Sequence, residues 1–107
     1  MDAFKLTFND KKSAKEFLEK AKDITRKYLF ISVADLRMMD SGHEEGGRYD
    51  ILENFDEDFQ YGYNKSDIRG LEIEEEPGTG RYMVWFPKPG TIVMNERGYW
   101  CAEGVGG

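Results

Sequence analysis

The chain has 107 residues, of which 39% are hydrophobic and 14% aromatic. That is enough apolar material for one folded domain, despite 34% charged residues, and it excludes an intrinsically disordered chain. The single cysteine, Cys101, excludes an internal disulfide, and no apolar run approaches the roughly 20 residues of a membrane span. The net charge of −6 is unevenly spread: residues 1–28 hold 8 Lys/Arg against 5 Asp/Glu, and residues 29–107 hold 7 against 16. This acidic majority repels phosphate backbones and counts against a nucleic-acid partner.

Ala3 to Phe8 reads as a strand, with Phe4, Leu6 and Phe8 alternating with Lys5 and Thr7. Asn9 and Asp10 break it and offer capping oxygens to a helix over residues 11–28. Ala14, Phe17, Leu18, Ala21, Ile24 and Tyr28 fall on one face of that helix. Its other face is charged, with Glu16–Lys20 and Asp23–Lys27 four apart, the acid first, each pair worth a few tenths of a kcal/mol. Ser13 with Glu16 offers a second capping box, which leaves the start open by about three residues.

The stretch YLFISVADLRMMDSG, which begins at Tyr28, reads as a short strand or turn followed by a helix over residues 33–40. Ser32 is its N-cap, Asp35 completes the capping box, and Ile31 with Leu36 forms a hydrophobic staple. Two helices joined this closely resemble a helix-turn-helix pair, and a strand at 29–34 is the competing reading. Residues 43–60 form an acidic connector with seven acids between Glu44 and Asp58 against Arg48 alone. Leu71 and Ile73, then Tyr82, Val84 and Phe86, alternate with polar or outward residues around Pro77-Gly78-Thr79-Gly80. They predict a hairpin of strands 70–75 and 81–86. Thr91 to Met94 and Tyr99 to Cys101 predict a further short hairpin, and residues 102–107 a disordered tail.

The fold expected is therefore a single α+β domain in which the N-terminal strand and the 70–86 hairpin form a sheet covered by the long helix. Core candidates are Phe4, Leu6, Phe17, Leu18, Ala21, Ile24, Leu36, Leu71, Ile73, Tyr82, Val84 and Phe86.

Catalytic chemistry finds little to work with. His43 and Cys101 are one histidine and one cysteine, too few for a closed zinc site, and a Cys101 nucleophile would have His43 alone as its base. The runs Glu74-Glu75-Glu76 and Asp56-Glu57-Asp58 have the look of solvated surface, and Gly78-Thr79-Gly80 lacks the strand-then-helix context of a phosphate loop. No cofactor or metal is expected, and the protein reads as a non-enzyme. The N-terminal MDAFKLTFND lacks the order of a signal peptide, so a cytoplasmic setting is expected.

Two surfaces remain. Lys11, Lys12, Lys15, Lys22 and Arg26 give the long helix a basic face, interrupted by Glu16, Glu19 and Asp23. Phe55, Asp56, Glu57, Asp58, Phe59, Tyr61 and Tyr63 mix aromatics with acids, which suits a protein partner carrying basic and apolar patches. The second is the expected partner-binding site. A winged-helix-like DNA-associated protein, with the 70–86 hairpin as the wing, is the alternative.

Ser32-Val33-Ala34-Asp35-Leu36, Tyr61-Gly62-Tyr63, Asp67-Ile68, Arg81-Tyr82 and Phe86-Pro87-Lys88-Pro89 occur in this order. In that pattern the chain resembles a family of small proteins encoded on prophages and integrative elements of clostridial-type bacteria. Tyr63 stands where the family usually has tryptophan, two extra residues precede Asp67, and the acidic segment before Tyr61 is longer. The resemblance implies a mobile-element setting and a small helix-plus-hairpin domain, and it carries no catalytic residue to this chain.

Overall fold

The computed structural model describes residues 1–41 and 57–107. Strand β1 (Phe4–Phe8) leads into helix α1 (Lys11–Tyr28). The helix starts at Lys11 because Asp10 is its cap: the Asp10 Oδ1 accepts from the Ser13 N–H at 2.7 Å. It ends at Leu29, whose left-handed backbone (φ 70°) lets its N–H donate to the Thr25 carbonyl at 2.9 Å. Glycine is the usual residue there, and leucine carries a steric cost of roughly 1 kcal/mol.

Strand β2 (Phe30–Ser32) follows at once, and helix α2 (Val33–Ser41) starts directly from it. This is the short strand followed by a helix, and the competing strand over 29–34 is corrected, since Val33 and Ala34 already belong to the helix. Ser32 Oγ accepts from the Asp35 N–H at 3.0 Å, and Ile31 and Leu36 are both fully buried. The helix-turn-helix likeness is corrected, however. The link between the helices is a strand, hydrogen-bonded to β3 with Ile31 opposite Tyr63.

Beyond the acidic connector, whose residues 43–56 lie outside the described residues, the chain forms β3 (Tyr61–Asn64) and the short helix α3 (Lys65–Arg69). Strands β4 (Ile73–Glu75), β5 (Tyr82–Phe86), β6 (Gly90–Met94) and β7 (Trp100–Glu103) complete it. They make two antiparallel sheets, ordered β1-β5-β4 and β2-β3-β6-β7. The first is the sheet expected from the alternation, with β4 shorter than the predicted 70–75. Leu6, Val84 and Ile73 stand in one cross-strand row, and Phe4 stacks on Phe86 at a centroid distance of 4.9 Å.

The second sheet joins the 91–101 hairpin to YGYN and FIS, a union no local pattern predicts. Gly62 and Gly90 are paired across it. A Cβ on Gly62 would meet the Ile31 carbonyl oxygen at 2.3 Å, and one on Gly90 the Glu103 carbonyl oxygen at 2.7 Å. Only glycine lets these backbones approach so closely. Asn64 continues the ladder with its side chain: its Nδ2 donates to Ala102 O at 2.7 Å, and its Oδ1 accepts from Ala102 N–H at 2.8 Å. Its own N–H donates to Asp67 Oδ2 at 2.8 Å, which fixes the first turn of α3.

The expected disordered tail is also corrected. Ala102 and Glu103 belong to β7, the Gly106 N–H donates to Lys88 O at 2.7 Å, and Val105 packs against the core. That core lies between α1 and the two sheets. It contains all twelve candidates, Leu36, Val84 and Phe86 among the buried ones and Phe4, Leu71 and Tyr82 among those packed at its edge. It also takes Phe8, Ala14, Ile31, Val33, Tyr63 and Ile68, which are not among those candidates.

Candidate functional site

The expected partner-binding stretch is divided by the fold. Phe55 and Asp56 lie outside the described residues, as does His43. Glu57 is exposed and Phe59 is 50% exposed, so these two remain on the surface. Tyr61 and Tyr63 point to the core side of β3, with Tyr61 half-buried and Tyr63 fully buried. The Tyr63 hydroxyl donates to Pro87 O at 2.5 Å, and its ring packs on Phe86 at 5.6 Å. Burial, reinforced by the nearby Asp67 charge and only partly opposed by Arg37, pushes its phenol well above the ordinary tyrosine value.

Asp58 is likewise withdrawn from solvent, at 1% exposure. Its Oδ2 lies 3.0 Å from Arg37 Nε on α2, an ion pair at contact distance whose geometry is off the line of a hydrogen bond. Burial raises the Asp58 carboxyl, Arg37 pulls it back and Glu57 raises it further, with the balance upward. The Arg37 guanidinium also lies over the Phe4 ring, 5.8 Å from its centroid. Asp58 and Tyr63 are therefore structural, and their place in the predicted contact surface is corrected on the ground of burial.

What the fold assembles around Phe59 is a groove. A hollow of about 530 Å³ is lined by Phe30, Phe59, Gln60, Thr91, Ile92 and Trp100. A smaller one of about 310 Å³ adjoins it through Phe30 and Phe59 and is lined also by Ile24, Tyr28, Ser32 and Asp35. Phe30 from β2, Ile92 from β6 and Trp100 from β7 alternate away from the face that carries Ile31 and Cys101. The Ile92 N–H donates to Gln60 O at 2.8 Å, which extends the β3–β6 ladder and seats Phe59 beside this face. Trp100 is 51% exposed, and Tyr28, Met94 and Tyr99 are exposed as well.

Sequence reasoning finds Phe59 and misses Phe30, Ile92 and Trp100. Phe30 and Trp100 stand 70 residues apart in the sequence, and these side chains meet only through strand pairing. The available signal is Gly62 between two tyrosines, since a glycine inside an aromatic run marks a close backbone approach. Cys101 is a half-buried free thiol on β7. Of the basic helix face, Lys11, Lys12 and Lys15 are simply exposed, whereas Lys22 and Arg26 line a separate small cleft. Among the described residues, no helix is long and apolar enough to cross a membrane.

No protein-family model matches the chain, and no curated protein or solved structure matches it either.

Proposed function

We propose that the protein is a non-enzymatic interaction module, which holds an apolar, positively charged segment of a partner protein in the groove on its second sheet. The observation that carries this reading is the concavity of about 530 Å³ flanked by Phe59 and Trp100, each about half exposed. Aromatic anchors in a hollow supply most of the affinity of a protein interface, because their burial releases apolar surface at small cost in side-chain freedom. The charge of the partner follows from this chain, whose residues 29–107 hold 16 Asp/Glu against 7 Lys/Arg, and from Asp35 in the groove itself. The mobile-element setting implied by the family resemblance belongs to the proposal and makes a clostridial-type host the place to look for the partner.

Site-specific photocrosslinking tests it. A photoreactive phenylalanine analogue at position 59 should capture a defined host protein with a basic, apolar contact segment, and Trp100→Ala should abolish that capture. Position 85 is the control, because Trp85 is as exposed as Trp100 but lies on the other sheet. Equal labelling from positions 59 and 85, with no dependence on Trp100, would refute the groove as an interface.

A further inference from the structure

A second hollow, of about 160 Å³, lies between α1 and α3 and is lined by Lys22, Thr25, Arg26, Lys65 and Arg69. Its two arginines and two lysines come as one i, i+4 pair from each helix, so each pair shares a face of its helix. Thr25 is buried, and its hydroxyl donates to Lys22 O, one turn back on α1, at 2.9 Å.

Four cations around one small hollow repel one another, and acids and helix ends nearby relieve this only in part. Lys22 reaches Glu19 at 3.8 Å and Arg26 pairs with Asp23, both acids being well exposed, and exposed pairs of this kind contribute little. Among the described residues, no ion pair is formed by Lys65 or Arg69. Arg26 stands in the last turn of α1 and Arg69 in the last turn of α3, where cations offset the negative end of a helix. Lys65 has no such relief: it is the first residue of α3, where the helix end is positive and disfavours a cation.

From this convergence, in a chain of net charge −6, we propose that the cleft binds a phosphate dianion, free or as a monoester. The planar forks of Arg26 and Arg69 suit two oxygens each, and the ammonium groups of Lys22 and Lys65 supply point charges. No aromatic side chain lines the hollow, so a nucleobase has nothing to stack on and recognition rests on the phosphoryl group. This site is separate from the aromatic groove and stands or falls independently of it.

The test is titration of the whole chain with inorganic phosphate and, in a second arm, phosphoserine, at constant ionic strength adjusted with sodium chloride. Calorimetry should show saturable binding of at least one of them, and the two arms distinguish the free ion from a monoester. Affinity should fall by about tenfold or more in the K65Q/R69Q double variant, and also in R26Q, while K11Q/K12Q at the far end of α1 leaves it unchanged. The proposal is overturned if neither ligand saturates, or if K65Q/R69Q and R26Q, verified as folded by circular dichroism, bind as the parent does. Binding of duplex DNA without saturable binding of phosphate or phosphoserine would also overturn it, assigning the cations to a polyanion surface.

Discussion

The first sheet lays Leu6, Val84 and Ile73 in one row beneath α1, whereas the second brings Gly62 and Gly90 together where no side chain fits. The outer faces differ too. On the first sheet Trp85 is half exposed, with Lys5 Nζ 5.4 Å from its ring centroid, and lines none of the hollows described above. On the second, Phe30, Ile92 and Trp100 surround a hollow with Phe59 at its rim. One sheet is closed by side chains on a regular pleat. The other is closed by backbone approach, and its outer aromatics line an open groove.

The difference can be broken most directly at Gly62. Gly62→Ala puts a methyl group against the Ile31 carbonyl, which is backbone and cannot turn aside, so a loss of about 3 kcal/mol or more is expected in urea unfolding. Gly90→Ala, facing Glu103 O, should behave similarly. Gly78→Ala in the turn of the first sheet is the control. It has φ 79° and open space around it, so only the backbone cost of about 1 kcal/mol applies. Equal losses at 62 and 78 would show that the second sheet does not depend on the close approach.

This contrast also explains what can be read from the sequence. The first sheet and α1 are legible because Phe4, Leu6 and Phe8, Tyr82, Val84 and Phe86, and the face of α1 each repeat at the period of their own element. FIS and YGYN are three and four residues long, too short to establish a two-residue period. The five residues of α3 are too few to show a helical period. Tyr63 misleads for a related reason. It follows Asp56-Glu57-Asp58 and reads as part of an acidic surface, yet its position in β3 sends it inward opposite Ile31. The groove is beyond local reading because its walls come from β2, β6 and β7.

Tyr63 tests the inner face of the second sheet with a smaller expected effect. Tyr63→Phe keeps the ring and removes the hydrogen bond to Pro87 O, so a loss of about 1 kcal/mol is expected at pH 7. The phenol is held above its ordinary value of 10.0, so the fold keeps its proton where the unfolded chain releases it. The stability linked to that group is fully present below pH 10 and is lost as pH rises towards the folded value. The parent should therefore lose its advantage over Tyr63→Phe in strongly alkaline solution. In absorbance titration at about 295 nm, where phenolates absorb, one of the six tyrosines should ionise last, and only in the parent. A parent whose tyrosines all titrate together would place Tyr63 in contact with solvent.

Asp58 gives the smallest expected effect and the finest distinction, because it decides whether the acid beside Phe59 helps to hold the groove's rim or is a cost tolerated there. Burial raises its carboxyl above the ordinary 3.8 more strongly than Arg37 lowers it, so the fold favours the protonated form. For a raised carboxyl, the linked stability is fully present below the unfolded value and is lost as pH rises through the folded one. At pH 7 the charged Asp58 is then a net cost, even with Arg37 at 3.0 Å. Arg37 itself is 41% exposed, and its buried Nε makes no hydrogen bond to Asp58 that the substitution would remove. Asp58→Asn should consequently be at least as stable as the parent at pH 7, and the difference between the two should shrink as pH falls below about 4. Urea midpoints measured across that range are the check. A loss at pH 7 approaching the roughly 3 kcal/mol of a broken buried pair would reverse the assignment and make the Arg37–Asp58 contact the element that fixes Phe59 in place.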